Sequence, residues 1–171
     1  MTRWAIHEVA AACRLTEHEI SAWISRGHFK SSVAVRPGQR RQFDWRDLAC
    51  LAVMRTLREQ SIAVSGIASV IAALRDNLER IDEITAASEL YLISTGRSDT
   101  SSTRMVGLVN SQKLCEALQS PPSIIVVVNV TEAYQEAVSS IVRYAGRPLQ
   151  KTPPDEPGGA CDALNGQSRM E

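Results

Sequence analysis

Between Thr16 and Arg26 the chain reads T-E-H-E-I-S-A-W-I-S-R, and Ile20, Trp23 and Ile24 recur there at helical spacing. If those three face a core, Glu17, His18, Ser21, Ser25 and Arg26 face outward. His18 and Ser21 then lie one turn apart near the helix start, with side chains able to exchange hydrogen bonds with base edges. Arg26 and Lys30 lie at the far end and suit phosphates, and Arg36, Arg40 and Arg41 gather a few residues further on. Clustered arginines neutralise the charge of a nucleic-acid backbone, which supplies most of the affinity and makes it salt-dependent. The chemistry these residues suit is recognition of duplex DNA.

The elements that must hold them are readable. Ile6, Val9, Ala10 and Cys13 give a first helix with i, i+3, i+4, i+7 spacing. Arg14-Leu15 makes a brief turn, and Thr16 followed by Glu19 is the capping-box pattern, which satisfies orphan amides at the start of a second helix. That helix stops at Gly27. Residues 28–43 predict a β-hairpin, with Val33 and Val35 in its first strand, a turn at Pro37-Gly38, and a basic tip of Arg36, Arg40 and Arg41. Asp44 can cap a third helix over Trp45–Gln60, and Ser65 a fourth reaching about Glu79. Ile67, Ile71, Leu74, Leu78 and Ile81 have the 4-3-4-3 spacing of a coiled-coil seam, but for only two heptads. The same spacing serves a helix packed on its own domain.

After Ala86 the pattern changes. Strands are predicted at Leu90–Ser94 and Met105–Asn110, a helix at Ser111–Gln119, and a strand at Ile124–Val130. The last is almost continuously apolar and β-branched, and is expected at the centre of a sheet, buried on both faces. Thr131 would cap a helix over Glu132–Tyr144. The fold class expected is α+β: a winged helix-turn-helix over 1–77, a helical connector over 78–90, a small α/β dimerisation or effector domain over 91–146, and a disordered tail over 147–171.

The 171 residues carry no net charge, yet residues 1–60 hold ten Arg/Lys against six acids and the rest nine against thirteen. A basic front and an acidic back fit a polyanion-binding module joined to a second function. No apolar run approaches the ~20 residues of a membrane-spanning helix, and the N-terminus lacks the apolar core of a secretion signal, so a cytoplasmic location with no membrane partner is expected. Cys13, Cys50, Cys115 and Cys161 are scattered, which argues against a metal site or a disulfide framework. Trp4 and Trp45 read as packing residues. The chain contains none of the phosphate-loop, dinucleotide, nucleophile-elbow or H-E-x-x-H motifs, so neither catalysis nor a cofactor is expected.

The runs W-A-I-H-E-V-A, T-E-H-E-I-S-A-W-I-S-R-G-H-F and G-Q-R-R-Q-F-D-W-R-D-L resemble the MerR-type winged helix-turn-helix domain over about residues 3–75, and secondarily the excisionase-like domains. The marks are Thr16, Ile20 and Gly27, then Gly38 and Arg40 in the wing, Phe43, and Asp47-Leu48 opening the next helix. The resemblance implies a sequence-specific transcription regulator binding double-stranded DNA at a palindromic site as a homodimer. It implies His18 and Ser21 in the groove, Trp23 near the backbone and Arg40 as the wing arginine. With the outward-facing and basic residues above, the DNA-contact set is Thr16, His18, Ser21, Trp23, Arg26, Lys30, Arg36, Arg40 and Arg41. The chain departs from the pattern in having Ser21 where Arg is common, and strand-like sequence from Leu90 where a long dimerisation helix would continue. An architectural recombination factor and a protein-interaction module that has lost DNA binding are the alternatives.

Overall fold

A computed structural model describes residues 2–33, 39–96, 105–119 and 124–145. Val35, Arg36 and the turn at Pro37-Gly38 of the expected hairpin, and the expected disordered tail, lie outside them. In chain order the elements are β1 (Trp4–Ala5), α1 (Ile6–Ala12), α2 (Glu17–Ser25), β2 (Gln42–Phe43), α3 (Trp45–Glu59), α4 (Val64–Leu78), β3 (Leu90–Gly96), β4 (Met105–Asn110), α5 (Ser111–Leu118), β5 (Ile124–Asn129) and α6 (Val130–Ala145). The mixture of an N-terminal helical unit and a small antiparallel sheet is the expected α+β class.

Helix α3 is the hub. Asp44 caps it by accepting the Asp47 amide at 2.9 Å, and Leu48, Ala49, Cys50, Leu51, Val53 and Met54 are wholly buried. A helix apolar around most of its girth must be covered on several sides. Here α4 and α6 cover it. Burial pushes the thiols of Cys13 and Cys50 up to about 12, so both are inert core residues.

Two local expectations are corrected, and a third, left open, is settled. The cap of α4 is Ala63, whose side chain accepts no hydrogen bond, so Ser65 falls inside the helix. Gln42-Phe43 is a strand, but its partner is Trp4-Ala5, in the register Trp4↔Phe43. Val33 sits in a bend. Phe43 is wholly buried, and seating its ring in the core draws β2 onto the chain start. The stripe Ile67, Ile71, Leu74 and Leu78 is buried within this chain, and the helix ends at Leu78, before Ile81. The 4-3-4-3 spacing therefore serves packing against α3 and β4.

The sheet runs β4-β3-β5, antiparallel throughout. The centre is β3; β5, expected there, is an edge strand with Val127 still 38% exposed. Composition alone does not place a strand: β3 pairs with its sequence neighbour on one side and with the returning β5 on the other. The two-sided burial expected of Ile124–Val130 belongs to Leu92 and Ile93, at 1% and 6% exposure. The face bearing Leu92 and Val128 joins the helical core, while α5 packs on β3 and β4.

Helix α6 closes the structure by lying across α1 and α3. Its Glu136 pairs with Arg14 at 2.7 Å and Arg55 at 3.4 Å, and Tyr134 meets the edge of Trp45 with centroids 6.3 Å apart. Thr131, expected as its cap, is buried and accepts the Leu90 amide at 2.9 Å, fastening the start of β3. Asn129 caps instead, accepting the Glu132 amide at 3.0 Å.

Candidate nucleic-acid interface

The helix that would enter a groove is fixed at both ends by its own sequence. Thr16 Oγ1 accepts the Glu19 amide at 3.1 Å, and Glu19 Oε2 accepts the Thr16 amide at 2.8 Å. That amide, with help from the Thr16 hydroxyl and Arg58, holds the Glu19 carboxyl below the usual glutamate range. Glu19 also forms an ion pair with Arg58, so this carboxylate is turned inward and matched rather than presented to a polyanion. At the other end Gly27 adopts φ 72°, a left-handed conformation that favours glycine. The His28 amide donates to the Trp23 carbonyl at 2.8 Å and the Gly27 amide to that of Ile24 at 3.1 Å, the Schellman pattern. Thr16→Ala is expected to cost about 1 kcal/mol of stability, measured by urea unfolding.

Between these caps the side chains divide as their spacing predicts. Ile20 and Trp23 are buried and Ile24 half-buried, whereas Glu17, His18, Ser21, Ser25 and Arg26 are exposed. Among the described residues, α2 packs chiefly on α1, and no element of the C-terminal sheet covers its outer side.

The other expected contact residues fall into place unevenly. Lys30 and Arg40 are exposed and Arg41 is half-buried. Thr16 is exposed, but its hydroxyl is committed to the cap, where it also donates to Glu19 at 2.9 Å. Trp23 is 5% exposed, its ring lies in the core, and the Arg58 guanidinium is 5.9 Å from its centroid.

Three residues matter here that spacing alone did not single out for this role. Asp47 is completely buried and accepts Arg75 Nη2 at 2.6 Å. Arg46 donates from Nε to the Leu78 carbonyl and from Nη2 to that of Ile81, both at 3.0 Å, closing the end of α4. The signals visible here were Asp44, read as a helix cap, and Asp47-Leu48, a mark of the family resemblance; neither pointed to Arg75. Among the described residues, no group of three or more His, Cys, Asp or Glu is placed to hold a metal ion.

A capped second helix with a free polar face, set on a first helix and followed by a basic segment, defines a helix-turn-helix domain of the DNA-binding class. Residues 5–74 match the family of MerR HTH regulatory proteins, so this stretch is similar to a MerR-type helix-turn-helix domain. The class of function that goes with it is DNA-binding transcription regulation. A search of curated proteins gave no match to the chain. No helix among the described residues is long and apolar enough to cross a membrane.

Proposed function

We propose that the protein is a sequence-specific transcription regulator that binds a palindromic duplex site as a homodimer. Helix α2 enters the major groove, a space about 12 Å wide that admits one helix. His18 and Ser21 meet base edges there. Arg26, Lys30, Arg36, Arg40 and Arg41 flank the groove and neutralise phosphates. The region 91–146 carries dimerisation or effector sensing. The observation that supports this reading above all is the exposed row His18, Ser21, Ser25 and Arg26 on a helix otherwise anchored in the core.

The test is fluorescence anisotropy of the full chain with random duplex DNA across a salt series, with mass measured in parallel. The expected result is binding that weakens steeply as salt rises, by a dimer. Absence of binding at low salt would favour a protein-interaction module instead.

A further inference from the structure

The stretch from Gly27 to Ser32 leads from α2 toward the wing, and a cleft of about 400 Å³ separates it from Ala68–Glu79 of α4 and its end. Polar contacts at the floor of this cleft bridge the gap. Ser32 donates to Asp47 Oδ1 from its amide at 2.9 Å and from its hydroxyl at 3.1 Å, and Ser31 Oγ donates to Oδ2 at 3.2 Å. The far end of the same segment reaches the same place. Ser31 Oγ lies 3.4 Å from the Gln42 carbonyl, and the Asp44 amide donates to Asp47 Oδ2 at 3.2 Å. One buried carboxylate thus gathers the residues that flank the segment expected to form the wing.

Arg75 completes this cluster from α4. Its guanidinium lies 5.1 Å from the Phe29 ring centroid, donates to Ser32 Oγ, and pairs with Asp47. The side chain of Arg75 is 12% exposed, so water competes weakly for these bonds. It touches the segment between α2 and the wing at Phe29 and Ser32.

We propose that Arg75 is a positioning residue for DNA binding: through Asp47, Ser31 and Ser32 it fixes the base of the wing relative to α2, so that Arg40 and Arg41 meet the backbone while α2 occupies the groove. This rests on the DNA-binding reading above. Arg75 itself makes no DNA contact, and its effect is exerted entirely through the wing. The interaction is therefore non-additive with loss of the wing arginines.

The experiment is a double-mutant cycle on the full chain, read by anisotropy across a salt series. In the wild-type background, Arg75→Gln is expected to weaken binding to all duplexes about tenfold and to lower the slope of log affinity against log salt by about one. In an Arg40→Ala/Arg41→Ala background the same change is expected to cost less than about twofold. Ser31→Ala/Ser32→Ala removes the hydroxyl bonds to Asp47 and Arg75 while leaving the Ser32 amide bond and the α3–α4 pair intact, and is expected to weaken binding and lower the salt slope in the same direction as Arg75→Gln. Circular dichroism of each variant checks its fold, and the serine pair decides the matter if Arg75→Gln does not fold. Losses that add fully in the wing-less background, or an unchanged salt slope, overturn the positioning role while wild-type binding stands. A wild-type chain that binds no duplex overturns the DNA-binding reading itself, and this inference with it.

Discussion

Asp47→Ala is expected to lower the folding free energy by about 3 kcal/mol, the low end of the range for removing one partner of a buried ion pair. The carboxylate has no exposed surface, whereas Arg75 keeps 12% of its side chain in contact with water, which softens the penalty on the charge left behind. The loss has several parts. Arg75 loses its counter-charge, the Ser32 and Asp44 amides lose an acceptor, and the Ser31 and Ser32 hydroxyls lose one too. Ser32 is exposed and Asp44 half-buried, so water replaces part of what these amides lose, and the uncompensated charge dominates the cost. Replacement of both charged partners, as in Asp47→Leu/Arg75→Leu, is expected to cost less than Asp47→Ala alone, because no uncompensated charge remains. Urea unfolding of the three proteins checks the order. Equal stability of Asp47→Ala and wild type would mean that the carboxylate does not hold the wing base in solution.

Arg40→Ala/Arg41→Ala is expected to weaken binding to every duplex alike, by about ten- to a hundredfold at moderate salt, and to lower the salt slope by about two. The physical reason is that each arginine matched to a phosphate releases condensed counterions, an effect indifferent to base sequence. Arg40 is exposed and Arg41 half-buried, so stability should change little. Anisotropy with two unrelated duplexes checks this. A loss confined to one sequence would place these arginines on base edges rather than on the backbone.

The helical unit was largely legible because its signals are local. Thr16 with Glu19, Asp44 with Asp47, and Gly27 mark ends that depend on a few neighbouring residues, and α2 and α3 begin where those signals fall. The apolar spacing of α4 likewise placed Ile67, Val70, Ile71, Leu74 and Leu78 inside. What the spacing left open was whether that stripe meets a second chain or this one. Settling it required knowing that β4 packs on α4.

Non-local choices escaped. A run such as Ile124–Val128 states that a strand will form, but not which neighbour it will take, and pairing on one side only made it an edge. Gln42 and Phe43 pair with residues almost forty positions earlier because Phe43 must be buried, a tertiary demand with no local signature. Thr131 looked like a cap and instead bonds across to Leu90. The exposed row on α2 was predicted by period alone. The support beneath the wing joins Asp47 and Arg75, 28 positions apart, and lay beyond any short-range pattern.

The central claim is that the outer side of α2 reads base pairs, and the most direct test is a selection of bound sequences from random duplexes. It is run with the wild-type chain and with His18→Ala/Ser21→Ala. The wild-type chain is expected to enrich a palindromic motif with half-sites about 34 Å apart, and the variant to lose preference inside each half-site while still binding duplex DNA in bulk. The same motif recovered from both proteins would contradict the placement of α2 in the groove.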